Sequence, residues 1–514
     1  MKYTLNRLAR ANEDKKTSIL QSTLTEIEND SDLEAKVGEL LPFLSDKDRN
    51  MRIQAITVLS FFNTQFKIPA VRKAIAEMAA IKLADSACLQ ASCEIISTNI
   101  DILDSEQLND TFDKLISIDL RVNLYAARLS AYQLFDKIIK KGISITKPSI
   151  VEKFKVFCGY EQDPRCLKVV FNIFQKFTNL IIDKLDKAQI SELFDVVSVF
   201  YPISQNTDLA NQLSECLASN PKFADDLAEL VSAKLKNSLA DTRTPIYRSL
   251  SILLVHKTKP ELVVSVVSSF IISLREHFEG GSTATDENTV NSAITSIVKF
   301  VELNPDSHQM LSSIAISEWI STEIIESENM NSIRAYSIVS WNIDKVIHFS
   351  KQVIAPLAAV VQKSFESHDE NRVQSILASI VEFLKLQDFH DLTDDSFTPF
   401  LTIANNSLLS DNRNLHITSL VIIRELSNHL HLPFNPTLLT NLLMHIELEP
   451  FSTSALNSLS TQTELIPLSI DEKECMKHKT KVIRKLRMAL DDDKREIRKE
   501  AADAKLAWMK LTEE

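Results

Sequence analysis

Few residues of this chain have the types and spacing that chemistry requires. His429 and His431 lie two apart, which would put them on different faces of a helix, so a solvated loop ahead of Pro433 is a better reading than a metal site. Asp394-Asp395 and Asp491 to Asp493 are paired carboxylates of the kind general acid–base work needs. Each sits where a turn and a helix cap want carboxylates, and that structural use is favoured. The adjacent Gly280 and Gly281 lack the flanking strand and the Lys-Ser/Thr pattern of a phosphate loop. No Ser stands in a Gly-x-Ser-x-Gly elbow, and the eleven histidines form no His-Glu-x-x-His. The six cysteines, at 88, 93, 158, 166, 216 and 475, show no two-residue spacing. They read as buried reduced thiols, as in a cytosolic or nuclear protein. Trp319, Trp341 and Trp508 read as packed between helices. The expectation is a chain with no cofactor, no metal and no catalytic centre.

One electrostatic feature stands out. From Lys473 to Lys510 there are thirteen Lys/Arg and seven Asp/Glu, a net of +6, whereas the whole chain carries −12 and the remainder therefore about −18. Lys481, Arg484, Lys485 and Arg487 occupy positions that an apolar helix face leaves free, and Lys494, Arg495, Arg498 and Lys499 follow at a turn. Such a stretch serves either as a solvated end cap or as a docking surface for an acidic partner. Bare nucleic acid fits poorly, because the acidic remainder repels phosphates.

The elements that would hold these side chains are two short helices. Ile483, Leu486 and Leu490 recur on one helical face, and Ile497, Ala501, Ala504 and Trp508 on another, with Asp492 or Asp493 as N-cap between them. Two such helices cannot bury both faces alone and need neighbours of the same kind. Leu40 to Ala55 supplies the same grammar: Asp46, Met51, Arg52 and Ala55 match Asp492, Ile497, Arg498 and Ala501. The motif resembles the HEAT repeat, in which the Arg often pairs with an Asp of the adjacent repeat, so Arg52 and Arg498 have a structural reading too. Between these two units runs a series of second-helix markers: Met51, Leu89, Leu124, Leu167, Leu209, Ile246, Val290, Ile333, Val373, Leu415, Leu456 and Ile497. The step of about forty residues is the HEAT period. The predicted fold is all-α, an α-solenoid of about twelve HEAT-like helical hairpins.

Composition agrees. Five glycines in 514 residues are too few for a sheet-rich or α/β enzyme. A chain this long exceeds a single core, which a solenoid evades by burying each repeat against the next. Residues 1–278 read as N-terminal repeats, with the first 36 forming one or two capping helices. Residues 279–289 read as an exposed loop or hinge, 290–449 as central repeats, 450–472 as a Ser/Thr-rich degenerate repeat or linker, and 473–514 as the basic hairpin. The N-terminus lacks the apolar core of a signal peptide, and the longest apolar run, 262–274, is short for a bilayer, so no membrane role is expected.

The run from Val482 to Leu511, above all Leu490-Asp-Asp-x-Lys494-Arg495-x-Ile497-Arg498-x-Glu500-Ala501, resembles the end of one HEAT-repeat family. This is the large adaptor of the cytosolic iron–sulfur protein assembly targeting complex, named for methyl-methanesulfonate sensitivity and tied to nucleotide excision repair. The resemblance implies a non-catalytic scaffold of cytoplasm and nucleus. Its last repeats would hold a cluster-carrier protein, which in turn binds a seven-bladed propeller protein. Other repeats would recruit apo iron–sulfur clients: helicases, primase and polymerases. On that reading Lys494, Arg495, Lys499 and Glu500 dock the carrier, with Arg498, Lys481 and Arg484 beside them. Family members are about twice as long, so the chain would be a shortened or divergent member. The competing class is a nuclear transport receptor of the importin-β type, also an acidic HEAT solenoid, or else a generic HEAT scaffold.

Overall fold

The structure, a computed structural model, describes residues 1–24, 30–143, 149–237, 240–279, 284–386, 394–429, 435–447, 455, 458 and 472–510. Every regular element among them is helical. They fall into two compact units, Met1–Leu230 and Val231–Glu514.

Each repeat is a helical hairpin. In the first unit the second helices are Arg49–Gln65, Leu89–Asn99, Tyr125–Lys140, Pro164–Ile181 and Thr207–Leu217. In the second they are Ala240–Leu253, Ala284–Leu303, Met330–Ile347, Glu370–Leu384, Arg413–His429 and Arg495–Lys510. Ten of the twelve marker residues lie within these helices; Leu456 is outside the described residues. Leu124 is the departure: it is the N-cap of Tyr125–Lys140 and 82% exposed. A short 3-10 turn, Leu120–Val122, precedes it and shifts the buried face on to Ala127.

Helix starts follow ordinary capping chemistry. Asp104 and Asp186 each form a capping box with the Gln three residues on, which satisfies amides that open the helix. Pro69, Pro164 and Pro399 occupy first turns, where no amide is needed. Pro245 lies inside Ala240–Leu253. Part of the expected loop is also helical, since Ala284 to Thr289 begins a 20-residue helix. Alanine and acidic residues suit a first helical turn, so only 280–283 of that stretch lies outside the described residues. Most of 450–472 lies outside them too.

The repeats are joined by two kinds of contact. One is aromatic: Phe135 stacks on Phe157 at 5.1 Å between ring centres and meets Phe177 at 5.9 Å, and Phe174 meets Phe223 at 5.9 Å. These rings carry the first unit's core from one hairpin to the next. The other is a polar clamp. Arg52 donates from Nη1 to the carbonyls of Asp46 and Lys47, at 3.0 and 3.2 Å, and from Nε to Asp85 of the next repeat at 2.6 Å. Arg128 does the same from Nη1 to Asn123 O at 2.8 Å and from Nε and Nη2 to Glu161 of the following repeat at 2.8 and 2.9 Å. The expected pairing of Arg52 with an adjacent repeat is thus present.

Cys88, Cys93, Cys158, Cys166 and Cys216 are buried. Burial in apolar surroundings pushes the Cys88 and Cys166 thiols up to about 12 and raises the other three as well. The thiolate is the reactive form, so these sites are expected to resist iodoacetamide at pH 7.5. Site-resolved mass spectrometry should show their alkylation only once denaturant is added; labelling of the native chain at any of the five would contradict this packing.

Candidate functional site: the basic hairpin

The hairpin of Glu472–Ala489 and Arg495–Lys510 assembles from its apolar faces. Val482, Leu486 and Ala489 meet Ile497, Ala501, Ala504 and Trp508, all buried, and helix Pro436–Glu447 packs on the first of the pair. The face differs in register from the expected one. Val482 and Ala489 are inside, while Ile483 and Leu490 are half-buried. Between a and d positions a one-residue shift keeps Leu486 on the seam and trades its flanks.

The turn repeats the chemistry of the hairpin near the other end. Asp492 Oδ1 accepts from the Lys494 amide at 2.7 Å, as Asp46 Oδ1 accepts from the Asp48 amide at 2.9 Å. Arg498 Nη1 donates to the carbonyls of Asp492 and Asp493 at 2.7 and 2.8 Å, the counterpart of Arg52 on Asp46 and Lys47. Asp492 therefore orders the turn, and the second helix opens at Arg495, with the Lys494 carbonyl accepting from the Arg498 amide at 3.2 Å. Arg498 is thus built into its own turn, whereas Arg52 also makes the pairing with an adjacent repeat that the motif implied, toward Asp85.

The remaining site residues divide into two groups. Lys494, Arg495 and Lys499 are exposed, but they share the turn with Asp491, Asp493 and Glu496, so the local field is chequered. Glu500 is half-buried. Lys481 and Arg484 are exposed on the other helix, on the side away from its buried residues. There the field has one sign: from 475 to 490 the chain has six Lys/Arg and no acidic residue. Lys481 stands about 12 Å along the helix from the turn, at 1.5 Å per residue, so the two groups form a strip rather than a point. Lys477 and Arg487, exposed on the same helix, belong to that strip. Counting sign along the helix alone, apart from the turn, is the signal that picks them out.

Among the described residues no group of three His, Cys, Asp or Glu could hold a metal ion, and no helix is long and apolar enough to cross a membrane. Trp319, Trp341 and Trp508 are all buried. What the fold and this strip define is a HEAT-type α-solenoid with a one-signed basic strip on one helix.

Comparison with known proteins finds a likeness over part of the chain. Residues 37–278 match the family model MMS19_N, described as a Dos2-interacting transcription regulator of RNA-Pol-II. A relative from Bos taurus, the MMS19 nucleotide excision repair protein homolog, is 23% identical over 273 residues, 46% of this chain and 25% of that protein. Over a little under half its length the chain is similar to the MMS19 family. The match spans a quarter of that relative's length. Among solved structures, Kap121p resembles 98% of this chain and 56% of its own at 12% identity and a TM-score of 0.39. Kap121p bound to RanGTP covers 97% and 52% at 14% identity and 0.43. Likeness at this level carries nothing about function.

Proposed function

We propose that the chain is a non-catalytic adaptor linked to DNA repair and transcription, which binds an acidic partner through the strip on Glu472–Ala489 and the adjoining turn. The observation that carries this reading is the six exposed or half-exposed cations between 475 and 490, with no carboxylate among them, on a chain of net charge −12. A solenoid spends one-signed charge against its own overall sign where an opposite surface meets it, because complementary potential sets encounter rate and register. The likeness to the MMS19 family supports the finer reading: the acidic partner is a cluster-carrier protein of cytosolic iron–sulfur assembly, itself bound to a propeller protein, and the other repeats recruit apo iron–sulfur clients in cytoplasm and nucleus.

The test is a calorimetric titration of the carrier into the full chain. Charge reversal at Lys481 and Arg484 is expected to weaken binding at least tenfold and to flatten its salt dependence. Reversal at Lys494 and Arg495, set among Asp491, Asp493 and Glu496, should cost less. Equal affinity of all three proteins would remove the strip from the interface.

A further inference from the structure

The first unit carries a surface feature unrelated to the basic hairpin. The turns that open the third and fourth repeats lie side by side and are pinned by stacked Arg–Tyr pairs. The Arg121 guanidinium sits 4.9 Å from the centre of the Tyr160 ring, and that of Arg165 sits 3.9 Å from the centre of Tyr125. Below Arg121 and Tyr160 opens a cavity of about 490 Å³, floored by Tyr132, Phe157 and Phe200. Beside it the turn from Leu120 to Leu124 forms a crest, with Val122 80% and Leu124 82% exposed. A second concavity lies on the other flank of that crest and is lined in part by Val122. Large apolar side chains so exposed, next to an aromatic hollow, mark a contact surface.

The charges around it choose the partner. In the three ion pairs here the cation is always the more exposed member: Arg121 56% against Asp119 39%, Arg165 61% against Asp163 17%, Arg128 20% against Glu161 0%. The surface therefore shows more guanidinium than carboxylate, with Glu161 and Asp163 largely hidden and Asp119 held in its pair with Arg121. Arg121 Nε and Nη2 are held by Asp119 at 2.9 and 2.5 Å, while its Nη1 makes no hydrogen bond among the described residues. A guanidinium fixed by a carboxylate on one edge and a ring on its face loses little entropy on binding a second carboxylate.

We propose that this edge of the first unit binds an acidic linear segment of another protein, one large apolar side chain entering the cavity and flanking carboxylates meeting Arg121 and Arg165. Aromatic residues and arginine are the side chains that dominate such contacts. The site lies on other repeats than the basic hairpin and does not rest on the function proposed for it.

The probe is a fluorescein-labelled peptide with a single Trp flanked by Asp and Glu, titrated by anisotropy against the full chain. Saturable binding is expected, with Kd on the order of 10–100 μM for so small an interface. Tyr160→Ala and Arg121→Glu should each weaken it at least tenfold. Tyr3→Ala, at an exposed tyrosine elsewhere, should leave it unchanged. Both informative side chains are largely exposed, so circular dichroism should show native helicity in each variant. The proposal is overturned if the two variants bind as the parent does, if no saturation occurs below millimolar, or if peptides with Trp→Ala or with amides for carboxylates bind equally well. Equal competition by single-stranded DNA would show a generic anion surface and overturn it too.

Discussion

Arg128→Ala is expected to cost the first unit about 3 kcal/mol at pH 7, read as a shift of its denaturant transition. Glu161 is buried, and its carboxylate accepts from Arg128 Nε and Nη2 and from the amides of Gln162 and Asp163, each at 2.8 or 2.9 Å. Removing one member of a buried pair leaves an uncompensated charge, which costs about 3–5 kcal/mol. The low end applies because Arg128 keeps a fifth of its side chain in water. The pH dependence tests the cause. Burial alone would push the Glu161 carboxyl up; the guanidinium and the two amides pull it down and prevail, so it lies below the ordinary glutamate value. A lowered carboxyl stabilises the fold above the unfolded-state value, and that contribution is lost as pH falls through the folded-state one. Without Arg128 the burial effect dominates and the sign turns: the variant's Glu161 is best tolerated protonated. The gap between parent and variant should therefore be widest at neutral pH and shrink as pH drops through the carboxylate range. Arg128→Met with Glu161→Gln should recover much of the loss, since no buried charge is left. A gap below 1 kcal/mol, or one indifferent to pH, would show the pair to be ornamental.

That clamp also shows how far the residues alone could be read. Asp46 with Arg52 and Asp492 with Arg498 are spaced alike, and their geometry is alike, down to which carbonyls the Nη1 atom meets. Arg128 makes the same two-way contact at the same spacings, five residues after Asn123 and 33 before Glu161, which stands in place of an aspartate. The Asp-to-Arg motif does not find it, because the position six before Arg128 is Val122, in an inserted 3-10 turn, where the other two turns carry an aspartate. Helical period survives such insertions, which is why the forty-residue series located nearly every second helix. Register within a helix does not: Ile483 lies one residue from the buried Val482, and Leu124 three from the buried Ala127.

The site was legible only as charge. Net sign over residues 473–510 pointed to the hairpin, but it could not separate the one-signed helix face from the mixed turn, because both lie within forty residues of sequence. The surface at Arg121 and Tyr160 gave no signal at all. Those residues are 39 apart, and the stacking depends on two turns of adjacent repeats lying level, a fact of packing rather than composition.

The second large effect lies at Trp508, and it separates architecture from electrostatics in the hairpin. The indole is fully buried against the partner helix, and Trp508→Ala should cost about 3–5 kcal/mol. In a solenoid each repeat is held by its nearest neighbours, so that loss is felt locally rather than shared along the chain. Among the described residues the hairpin packs on helix Pro436–Glu447, a limited counterweight. The expected result is loss of hydrogen-exchange protection over Glu472–Ala489 and Arg495–Lys510, with protection in Glu370–Leu384 unchanged. Partner binding should then fall although every cation of the strip remains. Lys481→Glu with Arg484→Glu should weaken binding with protection intact, because neither side chain is part of the apolar seam. If Trp508→Ala leaves the hairpin protected, its packing is not what holds the strip in place. If it melts the hairpin and the partner still binds at parental affinity, the partner reads a charged segment that needs no folded presentation, and the strip is a sequence rather than a surface.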